Sequence, residues 1–158
     1  MDKIAMCLWF DGNAEEAVKF YTGTFKDSSI DDVMYYGEAG PGAAGSVLSM
    51  TFHLDGREFL ALNGGPQFTF SPAMSMFVKC ESQAEVDTLW NTLLEGGGAP
   101  QQCGWLTDRF GVSWQIVPTV LGAMLKDKDP AKAKRVMNAM MQMVKLDVKA
   151  LEAAYVDQ

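Results

Sequence analysis

Histidine and cysteine are scarce in this sequence. One histidine, His53, and three widely spaced cysteines occur among 158 residues, and no CxxC pair is present. This set offers few strong zinc ligands and no framework of paired disulfides. We therefore expect Cys7, Cys80 and Cys103 to be free thiols in a reducing compartment.

Long apolar runs and excess positive charge are also missing. No apolar run reaches the length of about 18 residues that a membrane-spanning helix needs. The N-terminal segment MDKIAMCLWFDGNAEE meets a carboxylate too early for a secretory signal, which predicts a cytoplasmic protein. The net charge of −7 repels phosphate backbones, so we expect no nucleic-acid partner. Hydrophobic residues form 48% of the chain, enough for a packed core.

The chain contains an internal repeat at an offset of 69 residues. Asn13 followed by Glu16 predicts a capping box at the start of the helix AEEAVKFYTGTF. Ser82 followed by Glu85 predicts a second capping box before QAEVDTLWNTLLE. Each predicted helix follows a short apolar strand, IAMCLWF or MSMFVKC, and further strands come after it.

The remaining strands predict the fold class. The segments IDDVMYY, SVLSMTFHL and REFLAL follow the first helix, and Asp55-Gly56 predicts a two-residue hairpin turn between the last two. The segments PQQCGWL and VSWQIV follow the second helix, with a turn at Asp108–Gly111. We predict an α+β protein whose two βαβββ modules pair into an open eight-stranded cup with outer helices.

We place one domain of paired βαβββ modules at residues 1–118, with modules at about 1–66 and 67–118. A helical extension follows at residues 119–158. In it, Asp129-Pro130 predicts a helix start, and Asp147 predicts the cap of a final helix. Apolar residues spaced i, i+3, i+4 and i+7 form a stripe for packing or for a partner subunit, rather than a copper site. They are Met137, Met140, Met141 and Val144.

Three segments carry a family resemblance: NAEEAVKFY after the first strand, LNGGP after the fourth, and CGWLTDRFGVSWQIVP near the end of the second module. With the tail MNAMMQMVKLDVKALEAAY, the chain resembles the PhnB-like branch of the vicinal-oxygen-chelate (glyoxalase/bleomycin resistance/dioxygenase) superfamily from about Ile4 to Tyr155. The resemblance implies the paired-module cup and a homodimer. Some members carry the name 3-demethylubiquinone-9 3-methyltransferase.

The resemblance also locates the positions of metal ligands. Metal-dependent relatives place His, Glu or Gln on the first and last strand of each module. Those positions hold Met6, Leu60 or Ala61, Ser75 and Gln115. A hard divalent ion would find one neutral amide among them, so we predict no bound metal.

A glycine motif, GPGAAG at residues 40–45, fits the GxGxxG pattern. In a dinucleotide or S-adenosylmethionine site such glycines lead into a helix. Here the next segment, SVLSMTFHL, alternates like a strand. We therefore predict a hairpin loop and no cofactor.

The predicted pocket consists of side chains that alternation places toward the cup. Ser49 and Thr51 face either this cavity or solvent. Cys103 lacks an evident activating base, so it is a structural or pocket-lining thiol. Asp108 and Arg109 form either the rim of the pocket or a simple turn. The pocket residues are Met6, Leu8, Ser49, Thr51, Asn63, Ser75, Phe77, Cys103, Trp105 and Gln115.

These features predict a metal-independent small-molecule binding protein or enzyme, with no cofactor and no catalytic residue assigned. One alternative is a metal-dependent lyase or isomerase, dioxygenase or antibiotic-resistance enzyme of the same superfamily. Another is a protein that sequesters a ligand without chemistry, as in bleomycin resistance.

Overall fold

The structure is a computed structural model, and it describes residues 2–157. The chain forms two compact units, Met1–Phe70 and Ser71–Gln158, whose terminal residues Met1 and Gln158 lie outside the described part. The predicted division into two modules and an extension, and the pairing of the sheets into one cup, stay predictions.

The first unit contains one four-stranded sheet and one helix. Its elements are β1 (Met6–Phe10), α1 (Ala14–Thr24), β2 (Ser29–Tyr35), β3 (Val47–Leu54) and β4 (Arg57–Asn63). The strand order is β1-β4-β3-β2, with β1 parallel to β4 and the other pairs antiparallel.

The second unit repeats this order and adds three helices. Its elements are β5 (Ser75–Cys80), α2 (Gln83–Leu94), β6 (Ala99–Pro100), β7 (Trp105–Thr107), β8 (Ser113–Pro118), α3 (Thr119–Leu125), α4 (Pro130–Met141) and α5 (Val148–Val156). The strand order is β5-β8-β7-β6, again with the outer first strand parallel to the last. The α+β class and the repeated βαβββ order are confirmed.

Several turn and cap predictions are confirmed. Asp55 and Gly56 both have positive φ, 49° and 74°, as a type I′ hairpin requires. The Ser82 hydroxyl accepts a hydrogen bond from the Glu85 N–H at 3.2 Å. Asp129 and Asp147 cap α4 and α5 through the N–H groups of Ala131 and Ala150.

The prediction of a capping box at the start of α1 is wrong. The Asn13 side chain makes no cap hydrogen bond to α1. Instead, Asn63 Oδ1 at the end of β4 accepts from the Ala14 N–H at 3.0 Å. An amide distant in sequence therefore satisfies the first free donor of α1.

The predicted strand PQQCGWL is also wrong, because it breaks into the short strands β6 and β7. Cys103 and Gly104 between them both have positive φ, 59° and 85°, which no continuous strand accommodates. Their N–H groups donate to the carbonyls of Met143 and Val144 at 2.8 and 2.7 Å. The turn thereby ties this sheet to the chain between α4 and α5.

The C-terminal segment folds onto its own unit. Leu121, Val136, Leu146 and Leu151 form a buried cluster, with Met140 and Tyr155 packed against it. The predicted stripe is thereby divided, since α4 ends at Met141, before Val144, and of the four stripe residues only Met140 packs on the cluster. Met137, Met141 and Val144 are 40, 57 and 41% exposed.

Candidate functional site

The second sheet has one buried and one open face. Helix α2 contacts β5, β7 and β8, and the side facing it holds the buried residues Leu106, Trp114 and Ile116. Cross-strand neighbours project to the same side of a sheet. The alternate residues of β5, β7 and β8 therefore form the opposite, more accessible face.

Three predicted pocket residues form a row across this open face. In the strand register, Gln115 lies between Trp105 on β7 and Phe77 on β5. Phe77 is 54% exposed, while Trp105 and Gln115 are partly buried. We call Phe77, Gln115 and Trp105 the aromatic–amide row.

Ser75 extends the row along β5. Gln115 Nε2 donates to Ser75 Oγ at 3.0 Å, which orients the amide. The amide carbonyl, Gln115 Oε1, has no hydrogen-bond donor among residues 2–157. The structure thus brings together four predicted pocket residues, two of them aromatic and two hydrogen-bonding.

The prediction that Met6 and Leu8 line the pocket is wrong, because both lie on the side of the first sheet that faces α1. The register aligns Leu8 with Ala61 and Met50, on the side of the first sheet that packs against α1. Leu8 is 7% exposed and forms part of the core. Met6 shares this side, so Cys7 and Trp9 occupy the opposite face of β1.

The other predicted pocket residues are dispersed. Ser49 and Thr51 lie opposite Leu62 and Leu60 on the first sheet, on the side away from α1, where both are partly buried. Cys103 lies in the turn before β7, and Asn63 lies at the end of β4.

Asp108 forms the turn and not a pocket rim. It is 3% exposed, and its Oδ1 accepts from the N–H groups of Phe110 and Val112 at 2.9 and 3.0 Å. Its Oδ2 accepts from the Trp114 indole N–H at 2.9 Å. Arg109 donates to the Glu95 carbonyl at 3.3 Å and lies over the Phe110 ring. Both side chains therefore have structural partners.

The expected metal positions do not fit a hard divalent ion. The expected ligand position on β1, Met6, lies on the side that packs against α1, so the open face of β1 presents Cys7 instead, opposite Leu60. Desolvation raises the pKa of the Cys7 thiol. In the second sheet, Ser75 and Gln115 bond to each other. Among residues 2–157, no three His, Cys, Asp or Glu side chains are grouped as metal ligands.

The glycine-rich segment at residues 40–45 also does not fit an S-adenosylmethionine-binding site. The glycine-rich segment connects β2 to β3, and Tyr36 and Ser46 close it as a hairpin loop. No helix begins there, so the loop lacks the N-terminus that such a site uses. The predicted hairpin loop is confirmed.

His53 has a carboxylate partner that the sequence did not indicate. Its Nδ1 lies 2.5 Å from Asp31 Oδ2, and Ser29 donates to Asp31 Oδ1 at 2.7 Å. The Ser29 hydroxyl, and then His53, lower the pKa of the Asp31 carboxyl. This exposed cluster joins β2 to β3.

Among the predicted pocket residues, Asn63 alone lines a cleft in the first unit that sequence reasoning otherwise missed, with a volume of about 420 Å³. Three chain segments form it: the β1–α1 turn, the β2–β3 loop and the residues after β4. The double glycine of LNGGP was the available signal, because paired glycines allow close backbone approach. The lining residues are Asp11, Gly12, Glu15, Tyr36, Pro41, Gly42, Ser46, Val47, Asn63, Gly64, Gly65, Pro66 and Gln67.

Comparison with known proteins shows the same fold in solved structures. The PhnB protein from Bacillus cereus is 41% identical, with a TM-score of 0.68, over 75% of this chain and 100% of its own. Protein PA1353 from Pseudomonas aeruginosa is 24% identical, with a TM-score of 0.60, over 74% of this chain and 96% of its own. The fosfomycin resistance protein FosX from Mesorhizobium loti is 12% identical, with a TM-score of 0.50, over 72% of this chain and 90% of its own. No curated protein matches the chain.

The two βαβββ units define a protein of the glyoxalase/bleomycin resistance/dioxygenase fold. Residues 2–117 match the family described as 3-demethylubiquinone-9 3-methyltransferase. The chain belongs to this family, in the PhnB-like branch of the superfamily. The match ends before α3, so the C-terminal helices lie beyond it.

Proposed function

We propose that the second unit binds a flat, conjugated small molecule on the aromatic–amide row, without a metal ion. The observation that supports this most is the placement of Gln115 between Phe77 and Trp105. Two aromatic side chains offer stacking surface, and the amide between them supplies a directional hydrogen bond.

The exposure of Phe77 favours a ligand. A phenylalanine that is 54% exposed on a strand leaves apolar area in water that a stacked ring would cover. The Gln115 carbonyl is available to accept from a hydroxyl or N–H of that ring. Ser75 holds the amide in place, so binding needs little reordering at this position.

Binding without chemistry is the simplest function of this row. Its members and Ser75 do not titrate near neutral pH, so none of them supplies a general acid or base. The metal-dependent alternative needs ligands that the open faces of the two sheets do not provide. The row thus supports a binding or sequestering protein over a Lewis-acid enzyme.

The family description is compatible with the ligand but not with the transfer reaction. A demethylubiquinone contains a flat ring of the kind that the row would stack. Methyl transfer from S-adenosylmethionine needs a cofactor site, and the only GxGxxG segment leads into β3. We therefore propose ring binding and no methyl transfer.

Calorimetric titration tests this proposal. The probe is a water-soluble benzoquinone with every ring carbon substituted, so that the thiols have no free carbon to attack. Phe77→Ala and Trp105→Ala should each weaken binding about fivefold to tenfold, since each removes a stacking partner. Gln115→Ala should weaken it by a similar factor through the lost hydrogen bond.

Tyr35→Ala is the matched control, because Tyr35 is also an aromatic residue on a strand and is 58% exposed, but lies in the first unit. It should leave the affinity unchanged. Equal affinity of all four variants and the wild type would refute the row as the binding site.

We further propose a homodimer that uses the exposed methionines of α4. Met137 and Met141 lie one turn apart on α4, and the exposed Val144 follows shortly after the end of the helix. A partner subunit would cover this apolar group. Met137→Lys with Met141→Lys should yield monomers in light scattering. Met34→Lys, at a 54% exposed position in the first unit, is the control. A double variant that stays dimeric would contradict this interface.

A cytoplasmic location is also a proposal. All three cysteines are free, as expected in a reducing compartment. None of the helices within residues 2–157 combines the length and apolar character needed to cross a membrane.

A further inference from the structure

The cleft of the first unit is a second candidate site, supported by observations independent of the aromatic–amide row. Its volume of about 420 Å³ lies within the range typical of small-molecule sites, roughly 300–1,000 Å³. All thirteen lining residues belong to the first unit, so the site is complete within it.

Asn63 fixes the walls of the cleft. Its Oδ1 accepts from the Ala14 N–H, and its Nδ2 donates to the Val47 carbonyl at 3.0 Å. Its own carbonyl accepts from the Tyr36 hydroxyl at 2.6 Å. One residue thus joins the start of α1, the start of β3 and the β2–β3 loop.

Trp9 supports the floor next to Asn63. Its indole N–H donates to the Gly65 carbonyl at 2.9 Å. A Cβ at Gly64 would lie 2.4 Å from the Trp9 ring, so this position requires glycine for close approach. The cleft is therefore built into the packing of the unit.

The charged side chains of the cleft are all acidic. Asp11 and Glu15 line it, and no Lys, Arg or His is among the lining residues. Glu15 Oε1 accepts from Lys19 Nζ at 2.7 Å, while Asp11 has no ion-pair partner within residues 2–157. Ser46, Gln67 and Tyr36 add neutral hydrogen-bonding groups.

An anion is disfavoured despite the nearby N-terminus of α1. The first N–H of that helix, at Ala14, already donates to Asn63. An anionic ligand would also face Asp11 and Glu15, and like charges at short range repel. Electrostatics therefore select a cation.

We propose that this cleft binds a small organic cation bearing a primary ammonium or guanidinium group. Asp11 is its main counter-ion. Glu15 is a weaker one, because Lys19 competes for the same carboxylate. The neutral polar groups orient the remainder of the ligand.

Agmatine, which has both a primary ammonium and a guanidinium group, is the probe. NMR titration of the full chain should shift the amide signals of Gly12, Gly64 and Gly65 together. Asp11→Asn should weaken binding about fivefold and Glu15→Gln less, as expected for solvent-accessible ion pairs. Lys19→Met should strengthen binding, because it frees the Glu15 carboxylate.

Asp32→Asn is the matched control, since it removes one exposed carboxylate from β2 outside the cleft. It should leave agmatine binding unchanged. Equal weakening by Asp32→Asn and Asp11→Asn, or shifts spread over the acidic surface, would overturn the proposal. Absence of any shift at millimolar agmatine would do the same.

Discussion

At the scale of residues, one buried carboxylate, Asp108, stabilises the turn before β8 by accepting several hydrogen bonds. Asp108 accepts from two backbone N–H groups and one indole N–H before β8. The sequence predicted the turn at this position. It did not reveal the indole partner, because Trp114 belongs to a strand whose direction depends on the sheet register.

Asp108→Ala should destabilise the protein by about 3–5 kcal/mol, because it leaves three donors without an acceptor. Asp108→Asn should cost less, since its one oxygen retains part of the acceptor capacity. Urea denaturation measures both. A loss below about 1 kcal/mol for Asp108→Ala would contradict this role.

Asp31 should make stability depend on pH in the acid range. The Ser29 hydroxyl and His53 lower its pKa in the folded protein. Its stabilisation is therefore fully present above the unfolded pKa, about 3.9, and is lost as the pH falls through the lower folded pKa.

The comparison of wild type with Asp31→Asn isolates this contribution, because other carboxyl groups whose pKa is lowered, such as that of Asp87, are present in both proteins. The difference in Tm should be larger at pH 5 than at pH 2.5. A difference that stays constant across this range would show that the Asp31 charge does not contribute.

At the scale of elements, local signals predicted caps and turns that lie close together in sequence. Asp55-Gly56, Ser82 and Asp129-Pro130 needed only neighbouring residues. The cap of α1 could not be predicted, because its acceptor, Asn63, lies at the end of a strand 49 residues beyond Ala14.

The faces of β1 were also beyond local reasoning. Both alternating sets of MCLWF are largely apolar, Met6, Leu8 and Phe10 on one side and Cys7 and Trp9 on the other. Periodicity alone therefore cannot say which set meets the helix. Pairing with β4 decides it, by aligning Leu8 with Ala61 in the core.

Gln83 joins helix α2 to the C-terminal segment. Its Nε2 donates to the Leu146 carbonyl at 3.0 Å, and its Oε1 accepts from the Val148 N–H at 2.7 Å. Gln83→Ala should lower the free energy of unfolding by about 1–2 kcal/mol and accelerate amide hydrogen exchange at residues 146–151.

Lys145→Met is the control, because it removes only the exposed Lys145–Asp87 ion pair. Such pairs contribute at most about 1 kcal/mol. Equal acceleration of hydrogen exchange in both variants would contradict the role of Gln83 in holding the C-terminal segment to α2.

At the scale of the whole molecule, the internal repeat was the most informative sequence feature. The two units begin their first strands at Met6 and Ser75 and their first helices at Ala14 and Gln83. The apolar stripe of α4 was less informative, because its composition does not show whether it contacts its own unit or a partner. Met140 packs against the buried cluster of the second unit, while Met137 and Met141 are exposed.

The central claim is that ligand binding on the aromatic–amide row needs no metal, because Ser75 and Gln115 hold the positions that the family resemblance assigns to metal ligands in the second unit. Elemental analysis combined with calorimetry tests it most directly. The protein is dialysed against a chelator, and its affinity for the benzoquinone probe is measured before and after. We predict no stoichiometric Ni, Zn, Fe or Mn and the same affinity in both samples. About one metal ion per chain, with binding lost on chelation and restored by that metal, would contradict the account.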